Sequence, residues 1–173
     1  MKTSNAVEFS TQAVGSLAFR SLSTAELERL LRPLYLGLHF DDRRARFGAA
    51  VSDGSIASYC RELPSREAVV IGCVAPDGLV AVVELHPYGE RMELALAGRD
   101  TNDKITIYGH LLQLATFEVG RRGYRRLVMS MEPAAREVLD LLRGMGHLSI
   151  QDETATVELG DYTRLPSLSL ARR

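Results

Sequence analysis

The stretch Arg91-Met92-Glu93-Leu94-Ala95-Leu96-Ala97, with the polar cluster Gly98-Arg99-Asp100-Thr101-Asn102-Asp103 and the apolar series Ile105, Tyr108, Leu111, Leu112, Ala115 and Val119 behind it, decides the fold. In its first part Met92, Leu94 and Leu96 alternate with polar or small residues, the period of a strand that buries one face. The polar cluster interrupts that period. The residues that follow recur at three- and four-residue steps, so they line one stripe of a helix that starts near Asn102 or Asp103, either of which can cap it, and stops near Gly123. Arg125-Arg126-Leu127-Val128-Met129-Ser130-Met131 reads as a second strand. Pro133 then stands where a first helical turn tolerates proline, ahead of Val138, Leu139, Leu142 and Met145 at helical spacing, and Gly144 and Gly146 end that helix. Strand, crossover helix and strand in this order make a right-handed parallel unit. The loop after its first strand brings the free N–H groups of a helix N-terminus to the sheet's carboxyl edge, where an anionic ligand would go.

The whole chain sets wider bounds. Its 173 residues suffice for one continuous core without disulfides or a structural metal. A single domain over residues 17–159 is expected, after a loosely ordered stretch at 1–16 and before a tail at 160–173. Lys plus Arg number 21 against 22 for Asp plus Glu, so a formal charge of -1 provides no long-range field for nucleic acid or an anionic membrane. Cys60 and Cys73 fall in a helical and a strand pattern with no C-x-x-C pair, which makes them reduced core residues of a cytoplasmic protein. No apolar run is long enough for a signal peptide at the start or for a membrane helix elsewhere.

Outward from the central unit, Leu17-Ala18-Phe19-Arg20 is a short strand, and Ser23-Thr24-Ala25-Glu26 matches a capping box that starts a helix at about Thr24. Leu27, Leu30, Leu31, Leu34 and Leu38 continue its buried stripe, and Pro33 should kink or divide it. Residues 41–47 are charged. Ser52, Asp53 or Ser55 can cap the helix carrying Ile56, Tyr59 and Leu63, which Pro64 ends. Residues 68–75 and 79–86 form an antiparallel hairpin around Pro76-Asp77-Gly78, and residues 148–150 and 154–159 read as two further strands. The fold class is therefore mixed α/β: a mostly antiparallel sheet with one parallel pair and flanking helices.

This order, with its divided helix after the first strand, resembles the GCN5-related N-acetyltransferase (GNAT) superfamily. Arg20-Ser21-Leu22-Ser23 is similar to the family's R-x-L-[ST] entry to its first helix. Arg46-Phe47, Val51-Ser52-Asp53, Ile56 and Tyr59 are similar to the R-F-x-x-x-V-S-D-x-x-I-x-x-Y stretch of a bacterial branch. Glu84-Leu85 matches the end of the third family strand, Glu93 the A-E position of the fourth, Gly123-Tyr124-Arg125-Arg126-Leu127 the entry to the fifth, and Met145-Gly146 the terminal L-G-F. The resemblance covers roughly residues 17–159, within the two to four residues to which boundaries can be read. It implies an acyl-CoA-dependent N-acyltransferase, most simply an N-acetyltransferase, with acetyl-CoA as co-substrate and a small-molecule or protein amine as acceptor.

Two departures from the family pattern bear on that implication. The family helix after the fourth strand opens with Q/R-x-x-G-x-G/A, whose glycines admit a pyrophosphate to the backbone. Here Asp103-Lys104-Ile105-Thr106-Ile107-Tyr108 stand at those positions, and a one-residue shift aligns Gly109 with the last glycine and Lys104 with the glutamine or arginine but still leaves Ile107 at the other glycine. Side chains at close-approach positions block the backbone. The family's asparagine and tyrosine in the last helix are matched by Ala135 and Leu142, neither of which can donate a hydrogen bond from its side chain. The altered motif keeps a second reading open: a catalytically inactive GNAT-like binding or regulatory module that has lost acetyl-CoA.

The candidate catalytic residues are Glu93 and Glu84. Glu84 and His86 share a face of one strand and Glu93 lies on the next, so a carboxylate or imidazole there could take a proton from an ammonium nucleophile. Alternatively, the two glutamates are polar residues of a partly solvated strand face and His86 is a strand-end residue before Pro87. For the co-substrate, the resemblance implies that backbone groups at Ala97 and Gly98 orient the thioester while Lys104, Ile105, Thr106, Ile107, Tyr108 and Gly109 meet the pyrophosphate. Cys73 has no base paired to it, and Tyr108 fits the core stripe as well as a ligand. Arg121, Arg122, Arg125 and Arg126 read as a helix-end cluster satisfying last-turn carbonyls. A homodimer pairing through an exposed last strand is a further possibility. No metal site is expected.

Overall fold

The computed structural model describes residues 12–14, 16–130 and 136–160. Pro133 and Ala135 lie outside them, as do 161–173. The described elements run β1 (Gln12–Val14), β2 (Leu17–Ser21), α1 (Thr24–Glu26), a π-helical turn (Leu27–Leu31), α2 (Arg32–Gly37), α3 (Phe40–Phe47), α4 (Asp53–Glu62), a 3-10 turn (Leu63–Arg66), β3 (Val69–Ala75), β4 (Gly78–Tyr88), β5 (Arg91–Gly98), α5 (Lys104–Arg121), β6 (Arg126–Ser130), α6 (Arg136–Arg143), β7 (Gly146–Gln151) and β8 (Thr154–Leu159). The strands form one sheet in the order β1-β2-β3-β4-β5-β6-β8-β7.

Every strand pairing is antiparallel except β5 with β6. That pair registers only at Met92 with Leu127 and Glu93 with Val128, and beyond Glu93 the two strands part. The wedge so opened is the splay at the carboxyl ends of the parallel pair that the GNAT resemblance implies. α5 and α6 cover one face of the sheet around Leu111, Leu112, Met92, Leu94 and Leu127. α1 to α4 cover the other around Leu31, Tyr35, Ile56, Cys60 and Val82.

Local chemistry explains how the first layer is assembled. Glu26 accepts the backbone N–H of Ser23 at 3.0 Å, as a capping box requires, and two hydrogen bonds from Arg20 at 2.8 and 2.6 Å. Arg20 foremost, with the Ser23 groups, holds the Glu26 carboxyl down at about 2. The π-helical turn precedes Pro33, which therefore falls in the first turn of α2 rather than in a continuous α-helix. Ser52 caps α4 by accepting the Ser55 N–H at 3.1 Å.

Several expectations change. Residues 41–47, read only as charged, belong to α3, which buries none of its residues and so shows no apolar stripe. Part of the stretch expected to be loosely ordered, Gln12–Val14, pairs with β2. Asp103 is the N-cap residue of α5 but makes no capping hydrogen bond with its side chain. The last strand is not an edge: β8 lies between β6 and β7, and β7 is the outer strand. Arg121 and Arg122 do not serve helix-end carbonyls with their side chains. Both grip the buried carboxylate of Glu118, at 2.7 and 2.6 Å, while Arg126 pairs with Glu158 across β6 and β8. No helix among the described residues is long and apolar enough to cross a membrane.

Candidate functional site

The wedge between β5 and β6 opens into a cleft of about 850 Å³. Its wall on one side is residues 94–98 of β5, and on the other Val128, Met129 and Ser130 of β6. Arg46 and Asp42 of α3, His86 of β4, and Lys104, Ile105 and Tyr108 of α5 complete much of the rim. The cleft thus forms at the carboxyl ends of the parallel pair.

Register places three of the candidate side chains on one face. His86 is paired with Glu93 and Glu84 with Ala95, and directly paired residues of antiparallel strands project to the same side. That side is the one carrying α1 to α4, since Val82 and Ala97, also a register pair, are buried among those helices. The two glutamates nevertheless sit in opposite environments. Glu93 lines the cleft with its side chain 47% exposed and its carboxylate 3.5 Å from Arg91. Glu84 is 0% exposed and does not reach the cleft surface.

Glu84 is enclosed by donors from three helices and from its own strand. The phenol of Tyr35 donates to Oε1 and that of Tyr59 to Oε2. The guanidinium of Arg46 lies 2.7 Å from Oε2, and Nε2 of His86 lies 2.9 Å from the same oxygen. Arg46, its side chain only 8% exposed, also donates to the Tyr59 hydroxyl at 2.6 Å and has its guanidinium 4.9 to 5.3 Å from the ring centres of Tyr35, Phe47 and Tyr59. Burial pushes the Glu84 carboxyl above the ordinary carboxylate range, and His86 opposes that shift. The adjacent Arg46 charge and the two phenols add to that opposition, so the group is best regarded as a carboxylate locked into the fold. His86, half-buried, rests on this carboxylate and faces the cleft. Tyr35 was not among the candidates from sequence, and Arg46 and Tyr59 entered only as motif letters. Their spacing in that motif was the available signal.

Both cysteines are buried, and burial pushes the Cys60 thiol up to about 11 and the Cys73 thiol up to about 12. Neither offers a thiolate at neutral pH. No cluster of metal-ligating side chains occurs among the described residues.

No protein-family model matches the sequence, and no curated protein does. Solved structures do. Over 88% of this chain and 94% of that one, it superposes on the GNAT domain of S. lividans PAT with a TM-score of 0.66 and 17% identity. The phosphinothricin acetyltransferase of Sinorhizobium meliloti, solved with acetyl-CoA, matches with a TM-score of 0.61 and 13% identity, over 86% of this chain and 91% of that one. The PaiA N-acetyltransferase of Thermoplasma acidophilum, solved with coenzyme A, gives 0.56 and 17% identity over 83% of this chain and 99% of that one.

The chain has the GNAT fold.

Coenzyme A, which the Thermoplasma acidophilum structure holds, would meet two different halves in this cleft. In the first half β5 has parted from β6, so the side of residues 94–98 turned away from β4 faces the cleft rather than a neighbouring strand. An extended chain bearing amides fits such an edge. The other half, at the start of α5, does not fit a diphosphate. The ring of Tyr108 lies over Gly98, where an added Cβ would stand 3.0 Å from the ring and 3.2 Å from its hydroxyl. Lys104 is turned to Asp42 at 3.7 Å, and its backbone N–H already donates to the Thr101 carbonyl at 3.1 Å. Ile105 lines the cleft with a side chain, whereas Thr106 is exposed, Ile107 is buried in the core and Gly109 faces Leu141 of α6. Leu142 is buried and offers no hydroxyl.

The loss of two hydrogen bonds to a diphosphate, at ~1.5–3 kcal/mol each, would weaken binding by ~3–6 kcal/mol and carry a micromolar ligand into the millimolar range. Acetyl-CoA at ~100 μM should therefore raise the melting temperature by less than ~0.5 °C, because RT ln(1 + [L]/Kd) is small for a ligand tenfold below its Kd. Differential scanning fluorimetry reads this directly. A rise of several degrees would mean that the start of α5 holds the diphosphate after all.

Proposed function

We propose that the chain is an N-acyltransferase that moves an acyl group, most simply acetyl from acetyl-CoA, to the amine of a small molecule or a protein. The observation that supports this best is the open β5 edge with Glu93 and His86 on the same wall of the cleft. An amine in this cleft arrives as ammonium and must lose a proton before it can attack. Glu93, exposed to the cleft, accepts that proton directly or through water. Backbone groups of residues 94–98 orient the thioester carbonyl, the nitrogen bonds to the acyl carbon, and the C–S bond breaks. The second proton of the nitrogen goes to the departing sulfur, so the step balances. Glu84 takes no proton in this scheme. It fixes His86, and His86 with Arg91 sets the electrostatics around Glu93.

The side chains at the start of α5 favour a second reading, a binding module without acyl transfer. One experiment separates the two. The purified protein is incubated with acetyl thioesters and a panel of primary amines and lysine peptides, and amides are read by mass spectrometry. Acetylated amine above the uncatalysed background supports the enzyme. If no thioester gives product with any acceptor class, the acyltransferase reading falls.

A further inference from the structure

We infer that the cleft recognises its acyl donor by the pantetheine arm alone, so that an acyl-pantetheine thioester without the nucleotide serves as well as the coenzyme A thioester. This rests on the acyltransferase reading and names the donor class it uses.

Three independent features of the cleft lead here. The first is the free strand edge. Parallel pairing stops at Glu93 and Val128 although β5 continues to Gly98 and β6 to Ser130. Pantetheine is an extended chain with two amides, each a donor and an acceptor, and it can replace the missing strand contacts. The second is steric. At the end of this edge the Tyr108 ring packs against Gly98 and lines the cleft where β5 gives way to α5. Tyr108 is itself buried, with Lys104 Nζ 5.9 Å from its ring centre, so the plug is held in place rather than loosely swinging.

The third is charge. Six carboxylates line the cleft among the described residues against three cationic side chains. All three cations are engaged: Arg46 with Glu84, Arg91 with Glu93 and Lys104 with Asp42. Asp100 and Asp42 lie on the side of α5, where a diphosphate would add further negative charge. A helix N-terminus favours anions, but here its first N–H is used by Thr101 and its entrance is acidic. A neutral pantetheine arm meets none of these penalties.

The test compares donors on the unaltered protein. Dissociation constants are measured by NMR titration for acetyl-pantetheine, acetyl-CoA and adenosine 3′,5′-bisphosphate, and transfer rates for the first two and for acetylated holo acyl carrier protein. The expected result is that acetyl-pantetheine and acetyl-CoA bind within about threefold of each other and that the bisphosphate does not compete; threefold is under ~0.7 kcal/mol. Faster transfer from the carrier protein would identify a protein-borne arm as the source, and equal rates a free one. Acetyl-CoA binding tenfold or more tightly than acetyl-pantetheine overturns the inference while leaving the acyltransferase reading intact. Binding of neither thioester overturns both.

Discussion

Replacing Glu84 by alanine should destabilise the protein by ~3–5 kcal/mol, the usual cost of breaking a buried ion pair from one side. The size of the effect comes from what remains behind. Arg46 would keep its charge inside a ring of Tyr35, Phe47 and Tyr59, nearly shut off from water, with no carboxylate to meet it. The two phenols and His86 Nε2 would lose an acceptor at the same time. For a chain of 173 residues this corresponds to a fall in melting temperature of roughly 6–20 °C, at ~2–4 °C per kcal/mol. Glu84→Gln keeps the volume and one acceptor oxygen, so it should lie between the wild type and alanine. Urea denaturation with the m-value monitored gives the number. A Glu84→Ala loss below ~1 kcal/mol would show that the Arg46 cage is not held by this carboxylate.

The contrast between Glu84 and Glu93 also marks how far the sequence could be read. Period-2 alternation was enough to place both on neighbouring strands, and the period-3.6 stripe after Asp103 was enough to give the crossover helix and hence the parallel pair. What covers each strand face was not legible. Glu84 is buried because Tyr35, Arg46 and Tyr59 fold back over it from α2, α3 and α4, and such contacts leave no local periodicity. α3 escaped notice for a related reason: with no buried residue it carries no stripe, only charges. The order of the last two strands was equally out of reach. Both alternate, yet β8 buries three residues between β6 and β7 whereas β7 buries none. The mismatch at the start of α5 was legible as residue identities, but only the structure shows Tyr108 closing over Gly98.

Glu93→Gln tests the proposed chemistry rather than the fold, and its expected effect is a 10²–10⁴-fold loss of turnover, the range for a missing general base. This is ~2.7–5.5 kcal/mol in the activation barrier. Glutamine preserves the size of the side chain and its contact with the cleft but cannot accept the ammonium proton. The substituted residue is 47% exposed and its partner Arg91 lies 3.5 Å away at the surface, so stability should change by less than ~1 kcal/mol. Donor binding should also stay near wild type, because the β5 backbone that would receive the pantetheine arm begins beyond Glu93. A fall in kcat with an unchanged donor Kd is therefore the signature of the carboxylate acting on the acceptor. If Glu93→Gln keeps full turnover while His86→Asn loses it, the proton goes to the imidazole resting on Glu84, and the carboxylate mechanism proposed for Glu93 is wrong.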